Sequence, residues 1–191
     1  MALMPFTDIS ENEQQILLNT ARESIAYGLQ HQTALPVNTE EYSARLQTAA
    51  ATFVTLNING QLRGCIGTLE AYQPLINDVA EHAYDAAFRD SRFTALKKDE
   101  LELLEIHISL LTPSEPIIFT SEADLIRQLQ PGIDGLILQD NSHRGTFLPS
   151  VWEQLPEPAV FLEQLKLKAG LNRNDWPEGI QVSRYKTVLI E

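Results

Sequence analysis

The chain has one cysteine, Cys65, in 191 residues. A single thiol cannot close an internal disulfide, so nothing points to an oxidising compartment. It also cannot form a Cys-x-x-Cys pair, and neither His-x-x-x-His nor His-Glu-x-x-His occurs, so no metal site is expected. No Walker or dinucleotide fingerprint is present. Gly64-Cys65-Ile66-Gly67 falls inside a predicted strand, not on a strand-to-helix phosphate loop, and no cofactor is expected. No segment approaches the roughly 18 continuous apolar residues that span a bilayer, and Met1–Asp8 lacks a basic leader. A cytoplasmic protein with no membrane contact is the expectation. Positive charge is scarce as well: 14 basic residues face 26 acidic ones, for a formal net charge of -12, and no basic run exceeds Lys97-Lys98. Such a surface repels phosphate backbones, so nucleic acid is not an expected partner. Internal repeats, low-complexity tracts and Gly/Ser linkers are missing too.

The remaining composition, 43% hydrophobic and 21% charged, is that of a folded globular chain. Ser10 with Glu13 forms a capping-box pattern ahead of a helix over about 11–30, whose stripe is Ile16, Leu17, Ala21, Ile25 and Leu29. Residues 49–58 read as a strand. Asn59-Gly60 suits a type I′ turn, so 61–69 should return antiparallel to it. Pro74 suits a helix start, and Ile76, Val79, Ala80, Ala83 and Ala87 carry that helix to about Arg89. Residues 105–111 alternate as a half-buried strand. Ser121 caps a short helix ended by Pro131-Gly132. Segments 135–139 and 145–148 form a second hairpin, and 158–168 a helix closed by Gly170, with Lys166 and Lys168 complementing its dipole. Residues 181–190 read as a terminal strand. Helices mixed with antiparallel strands, without a βαβ rhythm, give an α+β class. The Pro-rich joint at 112–116 suggests a main lobe of 1–112 plus 180–191 and a smaller lobe of 113–179.

Leu62-Arg63-Gly64-Cys65-Ile66-Gly67-Thr68 resembles the signature hexapeptide, with its following threonine, of the AMMECR-type family, named in bacteria and archaea AmmeMemoRadiSam system protein A. Ala86-Ala87-Phe88-Arg89-Asp90-Ser91-Arg92-Phe93, Leu148-Pro149-Ser150-Val151 and Lys168-Ala169-Gly170-Leu171 resemble further family blocks, in the same order. Leu69 and Ser150 depart from the residues usual at those places. The resemblance implies a two-lobed α+β domain whose hexapeptide faces a cleft between the lobes. It also implies an association with a Memo-type protein and a radical S-adenosylmethionine (SAM) protein. It implies no particular reaction.

Within the hexapeptide, Arg63 and Cys65 would lie side by side on one strand face if no bulge intervenes. An adjacent guanidinium favours thiolate over thiol, making Cys65 a candidate nucleophile or thiol donor. Gly64 and Gly67 either leave backbone N–H groups open to an anion or mark a bulge or close helix contact. Asp90 and Arg92 form a second cluster: Arg92 offers a fork for a carboxylate or phosphate, or the two clamp a helix end while Phe93 fills the core. His82, between Asp78 and Asp85, reads as part of a solvated helix face, and His107 lies on the polar side of its strand. Arg144, in the second hairpin, and Lys168 are further candidate ligand contacts. Two readings stand: a binding or scaffold protein for a small molecule or partner, and an enzyme using Cys65 on a small anionic substrate.

Overall fold

Ser10 opens the first helix reciprocally. Its hydroxyl accepts the Glu13 N–H at 3.3 Å while the Glu13 carboxylate accepts the Ser10 N–H at 3.1 Å. The computed structural model describes residues 9–191, so the leader reading at Met1–Asp8 lies outside the described residues. Among these residues the helices are α1 (Glu11–His31), α2 (Leu75–Phe88), α3 (Glu122–Gln128) and α4 (Pro158–Ala169). The strands are β1 (Ala49–Ile58), β2 (Gln61–Gly67), β3 (Gln73–Pro74), β4 (Leu104–Leu111), β5 (Glu115–Pro116), β6 (Gly135–Gln139), β7 (Arg144–Phe147), β8 (Gln181–Tyr185) and β9 (Thr187–Ile190). The chain divides into two units: one runs to Leu111 and takes in Val188–Glu191, and the other is Thr112–Thr187.

In the first unit the sheet order is β2-β1-β4-β9, with β3 paired to the start of β1. Period-two alternation gives this sheet two unlike faces. Val54, Leu56, Ile106, Ile108 and Leu110 are buried in one core with Leu17, Ala21 and Ile25 of α1 and Leu75, Val79 and Ala83 of α2. Phe53, Thr55, His107 and Ser109 project to the other face and are only half-buried. Thr52 is a polar residue on the buried face, and Asp78 accounts for it. One Asp78 oxygen accepts the Thr52 N–H at 3.0 Å and its hydroxyl at 2.6 Å, and lies 3.2 Å from His82 Nδ1. Asp78 is fully buried and His82 nearly so. The Asp78–His82 spacing is therefore a buried clamp between α2 and β1, not a solvated face.

The second unit has the sheet order β5-β8-β6-β7. Its core gathers Leu125, Leu136, Leu138, Trp152, Phe161, Leu165 and Val182. Trp152 stacks on Phe161 at 3.7 Å and donates its indole N–H to the Asp134 carbonyl at 2.8 Å. Gly170 closes α4 at φ 93°. Lys166 lies in the last turn of α4, as its dipole role requires, but is buried and pairs with Glu122 at 2.6 Å.

The terminal strand expected over 181–190 is two strands. β8 belongs to the second sheet, paired with β6 and β5, and β9 to the first. Residues 180–187 thus sit with the second unit, contrary to the expected boundary. Lys186 separates the two strands and exchanges backbone bonds with Thr112: its carbonyl accepts the Thr112 N–H, and its own N–H goes to the Thr112 hydroxyl, both at 2.9 Å. No Gly or Pro marks this change of sheet, so the sequence reads through it.

Candidate functional site

The hairpin of β1 and β2 turns at Asn59-Gly60 with φ of 53° and 72°, the positive values a type I′ turn needs. From the turn, Ile58 opposes Gln61 and Asn57 opposes Leu62, but Leu56 then opposes Gly64. Arg63 is the extra residue of a β-bulge. Continued without the shift, that register would set Cys65 opposite Val54, on the buried face. With it, Cys65 opposes Thr55 on the open face, and Gly64 takes the buried position opposite Leu56.

The bulge overturns the expected Arg63–Cys65 neighbourhood. Arg63 makes a bidentate pair with Glu100, Nε to Oε1 at 2.7 Å and Nη2 to Oε2 at 3.1 Å, and also donates to the Thr94 carbonyl at 2.9 Å. These bonds hold the Glu100 carboxyl below its ordinary value. Arg63 Nη1 is buried without a hydrogen-bond acceptor, and the guanidinium lies 6.0 Å from the Phe93 ring centroid.

The two glycines serve close packing. A Cβ at Gly64 would collide with the Ala86 carbonyl oxygen of α2, and one at Gly67 with the Thr52 carbonyl and Phe53 of β1. The alanine-rich helix and the Gly64 position are thus two halves of one close approach.

Asp90 takes the place expected of Arg63 beside Cys65. Its Oδ2 accepts the Cys65 N–H at 2.9 Å and Arg92 Nη2 at 2.7 Å, while Oδ1 accepts the Arg92 N–H at 3.1 Å and Nε at 3.0 Å. The bonds from Arg92, with the Cys65 N–H adding to them, hold the Asp90 carboxyl far below its ordinary range, against the opposing effect of burial. Arg92 is raised in turn, first by its hydrogen bonds to Asp90, with the Asp90 charge and Cys65 contributing. Arg92 Nη2 also reaches the Cys65 carbonyl at 3.3 Å, yet the side chain stays 56% exposed. Its bonds run from Nε and Nη2; Nη1 makes none among the described residues. Phe93, expected in the core, is half-buried with the Arg92 guanidinium 5.5 Å from its ring centroid.

Cys65 is half-buried, and its sulfur accepts a hydrogen bond from the Thr55 hydroxyl at 3.3 Å. On the other side of Thr55, His107 is its register partner on β4, and His107 Nδ1 lies 3.2 Å from Glu191 Oε2. Sequence reasoning passed over Thr55 and Glu100, and read His107 only as a polar-side residue of its strand. Counting register from the turn could have placed Thr55 beside Cys65, had the bulge been visible.

In the second unit, Arg144 is exposed at the start of β7, opposite Gln139. Lys168 lies 4.9 Å from the Phe147 ring centroid. Among the described residues no group of three His, Cys, Asp or Glu is placed to hold a metal ion, and no helix is long and apolar enough to cross a membrane.

Known proteins are similar to this chain. A protein of Methanothermobacter thermautotrophicus is 36% identical over 169 residues, 88% of each chain. Protein MJ0810 of Methanocaldococcus jannaschii is 33% identical over 156 residues, 80% of this chain and 78% of that one. The crystal structure of the uncharacterized protein PH0010 from Pyrococcus horikoshii superposes with a TM-score of 0.87 at 29% identity, covering 95% of this chain and 92% of that one. The AMMECR1 family model matches residues 18–190, and with it the hairpin, the bulged Cys65 strand and the Asp90 corner: the chain belongs to the AMMECR1 family.

Proposed function

We propose that the protein binds a small anionic molecule at the Cys65–Arg92 corner of its first unit, and that it works from the cytoplasm with a Memo-type protein and a radical SAM protein. One observation carries the binding reading. Asp90 locks the Cys65 amide and two donor nitrogens of Arg92 together, leaving an oriented, 56% exposed guanidinium at the strand that bears the only thiol. Asp90 already neutralises Arg92, and the chain carries a formal net charge of -12. Recognition therefore rests on directed N–H bonds, which suits a carboxylate better than a polyphosphate. The link to the two partner proteins is supported by family membership and by the hexapeptide.

The test is protection of Cys65. Small carboxylates should slow its alkylation by iodoacetamide in a saturable way, inorganic phosphate less so, and Arg92→Gln should remove the effect. Protection that is absent, or unchanged in Arg92→Gln, sinks the reading. Co-purification with the Memo-type and radical SAM proteins tests the association separately.

A second reading, an enzyme using Cys65 as nucleophile or thiol donor on that same molecule, is supported by the Thr55 hydroxyl donated to the sulfur.

A further inference from the structure

Asn59 and Gly60 turn the hairpin of β1 and β2, and the binding reading leaves their chemistry unused. Both are exposed. Among the described residues the Asn59 side chain makes no hydrogen bond, and neither does the Gly60 N–H. A Cβ at Gly60 would meet nothing within 4 Å. A side-chain amide thus stands beside an unshielded and uncommitted backbone nitrogen, within reach of solvent.

We propose that Asn59 is a self-modification site, where the Gly60 nitrogen closes on the side-chain amide and water opens the resulting succinimide. The bond from Gly60 N to Asn59 Cγ forms, the Cγ–Nδ2 bond breaks, and ammonia leaves with the Gly60 proton. Water then cleaves one of the two ring C–N bonds that hold the Gly60 nitrogen. Cleavage at Cγ restores the ordinary main chain, with aspartate in place of asparagine. Cleavage at the main-chain carbonyl routes the chain through the side chain, as isoaspartate. Water is the only co-reactant, and either product adds one negative charge.

The turn is suited to ring closure. A succinimide holds ψ of its residue at about −120°, the value at the first central position of a type II′ turn, where φ is about 60°. Asn59 already has φ 53°. Closure therefore asks for rotation of the Asn59–Gly60 peptide plane, from type I′ to type II′, and both turns match the twist of hairpin strands. Gly60 must reverse the sign of its φ of 72°, which glycine does without a Cβ penalty.

The other asparagines are held differently. Asn12, Asn19 and Asn77 lie in helices and Asn57 lies in β1. The Asn38 side chain donates to Glu41, and that of Asn172 to Asp175. After Asn141 and Asn174 the attacking nitrogen is already given away, to Asp140 Oδ1 and to the Asn172 carbonyl. Each of them also precedes a residue with a side chain. The outcome matters for the hairpin because Ile58 pairs with Gln61 across this turn. Aspartate suits the turn as asparagine does, whereas isoaspartate inserts an extra main-chain carbon and loosens the pairing.

The experiment incubates the full chain at mildly alkaline pH for days and maps its peptides by mass spectrometry, with electron-transfer fragmentation to tell isoaspartate from aspartate. Asn59 should lose ammonia and then gain water at least about tenfold faster than any other asparagine, and within about tenfold of its rate in the same chain unfolded in urea. Conversion no faster than elsewhere, or more than about tenfold slower in the folded chain, overturns the proposal. Gly60→Ala should slow conversion by about tenfold, since a Cβ shields the nitrogen and resists the change of φ. The comparison of folded with unfolded parent chain needs no variant, so it decides the matter even if Gly60→Ala misfolds. The isoaspartyl form, separated by ion exchange, should exchange its Gln61 amide hydrogen faster than the parent, and Asn59→Asp should not. Equal exchange in all three overturns the effect on the hairpin.

Discussion

The carboxylate of Asp90 accepts the backbone N–H of Cys65 at 2.9 Å, joining the end of α2 to the strand that carries the thiol. The same carboxylate binds Arg92, so a single side chain ties all three residues together. Asp90→Asn keeps the size but loses the charge-assisted bonds, and should lower stability by about 1–3 kcal/mol in urea unfolding. Cys65 amide hydrogen exchange should speed up with it.

Arg63 and Arg92 part company in function. Arg63→Gln should reduce stability by about 1–3 kcal/mol, because Glu100 loses its bidentate partner, yet leave the Cys65 alkylation rate close to that of the parent. Arg92→Gln should slow alkylation. Equal effects of the two substitutions on the thiol would restore the side-by-side arrangement that the bulge removes.

Gly64→Ala forces a Cβ into the Ala86 carbonyl, where all the atoms it meets are backbone. Its unfolding midpoint should fall by an amount equivalent to about 1–3 kcal/mol. Gly60→Ala meets open space and suffers only from its φ of 72°, a cost of about 1 kcal/mol. Thermal melts of the two variants separate collision from conformation.

Asp78→Ala removes the acceptor for two Thr52 donors and for His82 in a fully buried place. The expected loss is about 3 kcal/mol or more, measured by denaturant unfolding. Asp78→Ala should leave the Cys65 alkylation rate unchanged if the mutant folds, because this cluster lies on the opposite face from Cys65.

Acid and alkali act on different groups. The Asp90 carboxyl lies below its ordinary value of 3.8 in the folded chain. Its contribution is complete above that value and drains away as pH falls through the lower folded one. Tyr185 runs the other way: burial pushes its phenol up from 10.0 to about 12. Its contribution is complete below 10 and is lost as pH rises towards 12. Unfolding free energy against pH should therefore fall at both ends, and Asp90→Asn should flatten only the acid side.

The elements legible in the sequence were those with local signals. The Ser10–Glu13 cap, the Asn59-Gly60 turn, the alanine stripe of α2 and the Gly170 stop each act within a few residues, and each lies where its chemistry requires. The site was legible as a place but not as a geometry. Nothing in Gln61–Gly67 alternates strongly enough to show that Arg63 is supernumerary, so Arg63 was paired with Cys65. The bulge depends on α2 needing a glycine beneath Ala86, which is a tertiary demand. His107 reads from the sequence only as a polar-side residue for a related reason: its place opposite Thr55 is a matter of register, and register is a property of paired strands. The 181–190 segment misled because both sheets demand alternation and neither requires a glycine or proline at the crossing.

That crossing has a consequence for how the protein is made. Val188 and Ile190 complete the sheet and core of the first unit, but the ribosome delivers them only after every residue of the second. Until then β4 presents a bare edge, a template for unwanted strand pairing in the nascent chain. A chaperone or rapid closure of the second unit would have to guard that edge, and arrest of translation before Thr187 should yield an aggregation-prone product.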